Sequence, residues 1–453
     1  MVDLTKPRKY SLRNPLFWLA PLALVGFIMT LLGGLYIGGM IDPVKNLNHF
    51  PIALVNNDVG DTLPNSDPPE YRNFGDEVAA GLVEGLDPDD FDIRQISTAQ
   101  AREQMSDGEL YGAITIPSDF TKRLMILAQA GVVPGDVEQP MVTVTTNPRA
   151  GTVAANIVDQ VGERAFDQVN DRVGEQLTKM VTDTLAATAP DLKLSGATSI
   201  LFANPIDVHT VQYNPLPGGT GLGLSAFYYA LLLILAGFTG ATIINILVDG
   251  MLGFTPTEVG PLFIHNENAG YSRLETVLIK WLVVFLMALI VSGIYLGVGI
   301  WLGMPVSNPL ALWLFGVLGI TAVGVTSISV MAVFGNLGLL INLLVFIVFG
   351  LPSSGGTIPI EATPPFFGWL ADFIPMHQLY LGVRAILFFN ADGDAGLFHA
   401  IWVTVLGLLV GLLLGGISTW IYDRHGLERE QWRNTEDSEK DDEPGTDEEP
   451  AKA

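Results

Sequence analysis

The stretch Gly350–Arg384 reads GLPSSGGTIPIEATPPFFGWLADFIPMHQLYLGVR and lies between long apolar runs. It is mostly apolar, yet it cannot form one continuous helix, because each proline removes a backbone donor and disfavours helix at the preceding residue. The prolines are Pro352, Pro359, Pro364, Pro365 and Pro375. This proline-rich stretch predicts a re-entrant segment (350–384) at the membrane edge, where irregular backbone must be covered by protein or by a water-filled cavity. An external loop with an apolar surface is the alternative.

The composition is that of an integral membrane protein. Of the 453 residues, 49% are hydrophobic and 15% are charged, and the mean hydropathy is +0.40. The net charge of −24 is concentrated in residues 42–222, with 26 acidic and 11 basic side chains, and in residues 436–452, with nine acidic and two basic. Such an acidic chain lacks the basic surface that nucleic acid requires, so we expect no nucleic-acid partner. Because cysteine is absent, disulfides and cysteine-bound metals are excluded.

Six apolar runs predict membrane-spanning helices, so the chain is expected to be an α-helical polytopic membrane protein in contact with the lipid bilayer. They cover residues 16–40, 223–248, 276–302, 309–334, 336–351 and 396–422. The fifth run is short for a full crossing, which suggests that the proline-rich stretch completes the membrane depth. Only Gly335–Gly338 joins the fourth run to the fifth, and this spacing predicts a tight helical hairpin.

Positive charges predict the orientation of the spans. Residues 1–15 form a basic N-terminus that we expect to be cytoplasmic and to be followed by an uncleaved first span. Arg273 and Arg424 also lie on the side predicted to be cytoplasmic, whereas Arg384 is the one Lys or Arg in the short loops predicted outside. The acidic tail, residues 423–453, is predicted to be cytoplasmic and disordered, because it has few apolar residues to bury.

Residues 41–221 predict a mixed α/β extracytoplasmic domain between spans 1 and 2, large enough to bury its own core. Short apolar and alternating runs predict strands at residues 51–56, 92–97, 110–117, 141–146 and 208–213. Helical spacing predicts helices at residues 71–84, 98–107, from 118 onwards, and 149–189. The acidic run DPDDFD (Asp87–Asp92) lacks the pattern of an EF-hand loop and predicts a solvated loop.

Three motifs resemble those of known membrane proteins. PIALVNNDVG (Pro51–Gly60) resembles the VAVVNxDxG opening of the outer domain of the phage-infection-protein (Pip/YhgE) family, and LYGAITIPSDFTKRL (Leu110–Leu124) resembles its GxxAxxIPxxF segment. The proline-rich stretch resembles the signature that precedes the last helix of type-2 ABC exporter permeases. Fungal nitrosoguanidine-resistance-type proteins share the plan of one span, a large outer domain and further spans. The chain lacks the long coiled-coil insertions of many Pip-like proteins.

The resemblance implies a location and partners. It implies a permease of a bacterial plasma membrane that forms a homodimer or hetero-oligomer and works with a separate ABC ATPase subunit or with other envelope export proteins. Exporters of this type carry a coupling helix in the cytoplasmic loop that corresponds to Asp249–Arg273. Glu258, Glu267 and Arg273 are therefore predicted to face the ATPase, and a simple polar connector is the alternative.

Common catalytic motifs are absent from the sequence. It contains no GxxxxGK[ST], HExxH or GxSxG pattern, and its six histidines are scattered. We therefore predict no enzymatic activity, no catalytic residue, no cofactor and no metal site. Any ATP hydrolysis would belong to a separate subunit.

The proline-rich stretch contains the best candidates for a functional site. Ionisable side chains at membrane depth are functional candidates, and an ion pair between Asp372 and Arg384 is favoured over a substrate contact. With the exporter-like spacing, these features predict a gate or lateral-exit rim. Its candidate residues are Gly355, Gly356, Pro359, Pro364, Asp372, Pro375, His377 and Arg384.

Two functions are compatible with the sequence. The first is a permease-like component that exports, or assists export of, an amphipathic envelope molecule such as a lipid, a cell-wall precursor or a drug. The second is a non-transporting envelope scaffold or receptor that binds protein partners or phage through its outer domain.

Overall fold

The computed structural model describes residues 15–62, 70–130, 138–188, 196–264 and 266–427. The basic N-terminus before Pro15 and the acidic tail after Leu427 lie outside these residues, so the predictions made for them stay predictions. The chain divides into two compact units. Unit 1 comprises Met1–Leu231, Val298–Leu312 and Val345–Ile401, and unit 2 comprises Leu232–Gly297, Trp313–Leu344 and Trp402–Ala453.

Unit 1 begins with an apolar helix and continues into the α/β domain. In chain order the elements are α1 (Pro15–Met40), β1 (Phe50–Asn56), β2 (Asp61–Thr62), β3 (Tyr71–Arg72), α2 (Phe74–Gly85), β4 (Phe91–Gln95), α3 (Thr98–Ser106), β5 (Gly112–Ile116), α4 (Phe120–Ala130), β6 (Met141–Thr146), α5 (Thr152–Thr188), α6 (Gly196–Ala203) and β7 (Asp207–Gln212). A 3-10 turn, Pro43–Asn46, follows α1.

The predicted strands form a five-stranded mixed sheet with the order β4-β1-β5-β6-β7. β1 is parallel to β4 and to β5, whereas β6 is antiparallel to β5 and parallel to β7. β1 is an inner, apolar strand, and its residues Phe50–Val55 are all buried. β6 alternates between buried and less buried positions, as a strand covered on one face should.

One helix start differs from its prediction. α2 begins at Phe74 rather than Tyr71, because Tyr71 pairs in the small β2–β3 sheet and the Asn73 side chain caps the helix by accepting from the Asp76 N–H. α3 begins at Thr98, as predicted, and Ser97 and Gln100 form a capping box at its start. Both predicted helices are therefore present in the domain.

The remaining helices include the other candidate membrane spans. In chain order the elements are α7 (Leu224–Met251), β8 (Thr257–Val259), β9 (Leu262–Ile264), α8 (Arg273–Trp301), α9 (Pro309–Phe334), α10 (Asn336–Leu343) with a π-helical extension (Leu344–Val348), a 3-10 turn (Ile360–Ala362), α11 (Pro365–Ala371), α12 (Pro375–Phe388), a π-helical turn (Gly393–Leu397) and α13 (Phe398–Arg424).

Among the described residues, five helices are long and apolar enough to cross a membrane. They correspond to Pro21–Gly39, Leu224–Met251, Arg273–Trp301, Pro309–Phe334 and Gly393–Arg424. The predicted fifth span is a shorter apolar helix, Asn336–Val348. At a rise of ~1.5 Å per residue it is roughly 20 Å long, less than the ~30 Å hydrocarbon core of a bilayer.

Close helix packing in unit 2 depends on glycine. A Cβ added at Gly338 of α10 would lie 2.7 Å from the Met331 Cα of α9, so these helices lie backbone against backbone. Gly335 joins them with φ of +58°, a conformation that favours glycine. The Asn342 side chain on α10 donates to the Ser327 carbonyl oxygen, which pairs a buried polar group. These contacts confirm the predicted tight turn after Phe334.

Candidate functional site

Within unit 1, the proline-rich stretch folds against the edge of the sheet at which β1, β4 and β5 begin (the amino edge). The backbone N–H of Asn48, just before β1, donates to the Glu361 carbonyl oxygen at 2.7 Å. The Tyr111 hydroxyl, just before β5, donates to the Glu361 carboxylate, also at 2.7 Å. Burial and the adjacent Glu361 carboxylate raise the pKa of Tyr111 well above its usual range. Glu361 therefore fixes the stretch to the domain through both its backbone and its side chain.

Arg384 makes the second connection to the amino edge. Its side chain is buried, and Nη1 donates to the Ala150 carbonyl oxygen at 2.9 Å, just before α5. The guanidinium lies 5.8 Å from the centre of the Tyr380 ring and 5.7 Å from that of Phe389, within cation–π range. The buried Nε has no hydrogen-bond partner. Aromatic rings and a carbonyl dipole thus surround this cation.

The predicted ion pair between Asp372 and Arg384 is not formed. Asp372 is exposed at the end of α11, and among the described residues no ion pair joins the two side chains. The physical reason is that α12 begins afresh at Pro375 and carries Arg384 to its far end, where the side chain faces the domain. Arg384 has a positioning role, and Asp372 is an exposed residue.

Arg149 makes the third connection. Its Nη1 donates to the Phe388 carbonyl oxygen at 2.9 Å, and its Nε donates to the Asn214 carbonyl oxygen. Phe388 is the last residue of α12, where the final carbonyl groups have no helical partner and a cation is favourable. One side chain therefore caps α12 and joins it to the end of the α/β domain.

The other candidate gate residues shape the stretch. Pro364 precedes α11, and Pro375 is the first residue of α12, a position where proline is favoured because the N–H would lack a partner anyway. Pro359 precedes the 3-10 turn in the same way. The prediction that this stretch does not form one continuous helix is confirmed.

Two glycines and a histidine shape the preceding turn. Gly355 has φ of +72°, and a Cβ added at Gly356 would lie 2.5 Å from the Phe227 ring. The His377 ring forms a hydrogen bond of 2.9 Å with the Ser354 carbonyl oxygen. Glycine is therefore required at Gly355 by the backbone conformation and at Gly356 by the close approach of the Phe227 ring.

The coupling-loop prediction is only partly compatible with unit 2. Where the resemblance implied a helix, the described residues of the loop form a β8–β9 hairpin with Glu258 opposite Phe263. Glu258 and Glu267 are exposed. Arg273 instead starts α8, its Nε donates to the Leu427 carbonyl oxygen, and its guanidinium lies over the Tyr422 ring. These contacts are within unit 2.

A buried ion pair in unit 2 was missed by the sequence reasoning. Lys280 Nζ lies 2.7 Å from Asp249 Oδ1 and donates to Asn245 Oδ1, also at 2.7 Å. The Lys280 side chain is 2% exposed and that of Asp249 is 12% exposed. Lys280 lies inside α8, within the run predicted as the third span. A lone cation within an apolar run was the signal that could have revealed this pair.

A small amphipathic pocket lies beside the start of β4 in unit 1. Its volume is about 190 Å³, and α2, α5 and the segment after α1 supply its walls. Arg164 and Arg172 on α5 line it, and among the described residues neither forms an ion pair. The other lining residues are Val44, Leu47, Gly81, Leu82, Gly85, Leu86, Asp90, Phe91, Val161, Ala165, Gln168 and Val169.

These features define a multi-pass membrane protein that carries an α/β domain between its first two candidate spans. The profile of a family described as "Protein of unknown function (DUF3533)" matches residues 20–408, and the chain belongs to that family. Comparison with curated proteins and with solved structures gives no match. The Pip/YhgE and type-2 exporter resemblance stays a prediction.

Proposed function

We propose that this protein is a permease-like component of a bacterial plasma membrane that exports, or assists export of, an amphipathic envelope molecule. The observation that carries this proposal is the amphipathic pocket, which is lined in part by the segment after α1. Val44 in its wall is four residues after Met40, so it lies within roughly 14 Å of the end of α1 at ~3.6 Å per residue. An apolar lining with two arginines suits a molecule that has an apolar part and an anionic group.

The number of membrane crossings between the α/β domain and the proline-rich stretch supports a topology with six crossings in total. The proline-rich stretch contacts the α/β domain through Asn48, Tyr111 and Ala150, so both lie on one face of the membrane. The chain between them contains three long candidate spans, α7, α8 and α9. An even number of crossings is needed to return to the same face, and α10 is the apolar helix available for the fourth. In this topology residues 41–221 lie outside and both termini are cytoplasmic.

The β8–β9 hairpin is the proposed contact for a separate ATPase subunit. Its apolar residues Val259, Leu262, Phe263 and Ile264 are all exposed, and contiguous exposed apolar surface is typical of a binding site. Glu258 and Glu267 add charge at this surface. The permease would form half of a dimeric path, with the proline-rich stretch as a gate on the outer side.

Copurification tests this proposal. The full-length chain is extracted in mild detergent, and a nucleotide-binding subunit is expected to accompany it and to hydrolyse ATP at a rate that cargo changes. Phe263→Ser should reduce recovery of that subunit, whereas Phe373→Ser, at an equally exposed phenylalanine outside the hairpin, should not. Loss of the subunit with both variants, or with neither, would contradict the hairpin as the contact.

The scaffold alternative is favoured by the three connections through Glu361, Arg384 and Arg149, which hold the domain against the proline-rich stretch. A rigidly mounted domain suits a protein that presents a binding surface. Under this alternative, the chain would copurify with other envelope proteins and no ATPase. Arg164→Gln with Arg172→Gln would leave its cellular function unchanged, whereas under the export proposal this change should impair transport.

A further inference from the structure

In the parallel part of the sheet, the helices that follow the neighbouring strands β1 and β4 pack on opposite faces. The first helix after β1 is α2, which follows the short strands β2 and β3, and the first helix after the neighbouring strand β4 is α3. α3 packs on the face that presents Ala53 and Val55. Because successive strand residues point to opposite faces, Leu54 points to the other face, where α2 lies. In open α/β sheets, ligands bind outside the carboxyl ends of two such strands, where the connections part.

An open crevice of about 730 Å³ lies at that point. Its volume is within the ~300–1,000 Å³ range of small-molecule sites. The carboxyl ends of β1 and β4 form its floor, and α2 and the start of α3 form its walls. The lining residues are Leu54, Asn56, Asn57, Asp76, Ala79, Ala80, Val83, Glu84, Gln95, Ile96, Ser97 and Gln100.

The motif PIALVNNDVG builds this crevice, which gives the motif a role that the export proposal does not use. Asn56 and Asn57 line the crevice, and the Asn56 side chain donates to Asp76 at 2.6 Å. Asp58 does not line it. The Asp58 carboxylate accepts from the Gly75 N–H at 3.0 Å and from the Thr121 N–H at 3.1 Å, which fixes the starts of α2 and α4.

The chemistry of the lining is acidic and rich in carboxamides. Asp76 and Glu84 both project from α2, about 12 Å apart along the helix axis. No Lys or Arg lines the crevice. Among the described residues, the Glu84 and Gln95 side chains make no hydrogen bond or ion pair, so they are available to a ligand. Ala79, Ala80 and Val83 provide an apolar strip between the two carboxylates.

We propose that this crevice is a binding site for a small organic cation with protonated amines, held by Asp76 and Glu84 over the apolar strip of α2. Carboxylates pair with ammonium groups, carboxamide oxygens accept their remaining N–H bonds, and methylene groups cover the alanines. The crevice lies at the carboxyl end of β1, and the amphipathic pocket lies beside the amino edge. Seven strand residues, roughly 23 Å, separate the two edges. The site is therefore independent of the proposed export function.

Calorimetric titration of the full-length chain in nanodiscs with spermidine tests the proposal. Saturable binding at one site is expected, and Asp76→Asn with Glu84→Gln should weaken it about tenfold, because two exposed ion pairs contribute about 1 kcal/mol or less each. The matched control is Asp171→Asn with Glu175→Gln, which makes the same change in net charge on exposed residues of α5 outside the crevice. This control should bind like the parent.

A second variant tests the place of binding without a change in charge. Ala80 is an exposed residue of α2 that lines the crevice, so Ala80→Trp should fill it and also weaken binding about tenfold or more. Equal binding by Ala80→Trp and the parent, an equal loss in the α5 control, or no saturable binding of spermidine would each overturn the proposal. Binding of glucose with the same affinity as spermidine would overturn the cationic class of ligand.

Discussion

Arg384 shows how a single residue can hold two parts of unit 1 together without an acidic partner. Its guanidinium is buried among two aromatic rings and donates to the Ala150 carbonyl oxygen, 234 residues away in the chain. The sequence predicted that Arg384 is a candidate site residue, but it predicted an ion pair with Asp372. A backbone carbonyl carries no sequence signal, so neither Ala150 nor Phe388, the acceptor of Arg149, could have been identified beforehand.

The buried pair between Lys280 and Asp249 makes a prediction at the residue scale. Lys280→Met should lower the free energy of unfolding by about 3–5 kcal/mol, because it removes the ammonium group that pairs with the Asp249 carboxylate, which is only 12% exposed. Adding Asp249→Leu to Lys280→Met should recover most of this loss, since no buried charge then remains. Thermal unfolding in detergent measures both. Lys45→Met serves as the control, because the Lys45–Asp42 pair is exposed and its loss should change little.

Tyr111 makes a prediction about alkaline pH. Burial, together with the Glu361 carboxylate, raises the pKa of Tyr111 in the folded protein above the unfolded value of about 10. The stabilisation from this hydroxyl is therefore fully present below that pH and declines as pH rises further, because the unfolded chain loses the proton first. Tyr111→Phe should reduce the fall in melting temperature at alkaline pH. Tyr71→Phe, at an exposed tyrosine of the same domain, should leave the fall unchanged.

At the scale of elements, hydropathy and residue spacing predicted the strands and helices that depend on the local sequence pattern. The apolar run PIALVN is a buried strand because it supplies both faces of a covered sheet, and the prolines at 364 and 375 precede or begin helices. The β8–β9 hairpin was missed, although Gly260–Pro261 between two short apolar runs is a turn signal. The resemblance implied a helix there. The crevice was also missed, because it depends on strand order, which a single sequence does not reveal.

The contact between α9 and α10 makes a prediction at the scale of elements. Gly338→Ala should cost about 1–3 kcal/mol, because the new methyl group would meet backbone atoms of Met331 and Val330 that cannot move independently. Gly297→Ala is the matched change in α8, where a Cβ would meet nothing within 4 Å, and it should be tolerated. Chemical unfolding of both variants in detergent checks this expectation. Equal stability of the two variants would contradict close packing of α9 on α10.

At the scale of the whole molecule, the proposed topology is open to a direct test because the chain contains no cysteine. Single cysteines at exposed positions can replace Lys45, Asp372 and Glu258. A membrane-impermeant maleimide should modify Lys45→Cys and Asp372→Cys in intact cells, and Glu258→Cys only after the cells are opened. Modification of Asp372→Cys only in opened cells would mean that α10 does not complete a crossing.

The short length of α10 has a consequence for the lipids around it. In the proposed topology with six crossings, α10 and its π-helical extension (Asn336–Val348), roughly 20 Å long, would leave a mismatch in a hydrocarbon layer of ~30 Å, and the bilayer would meet it by thinning locally. A thinner layer shortens the distance that a polar headgroup must travel through hydrocarbon. The membrane beside α10 would then be the place where a lipid changes leaflet most easily, and the acyl-chain length of the host membrane would set how fast it does so.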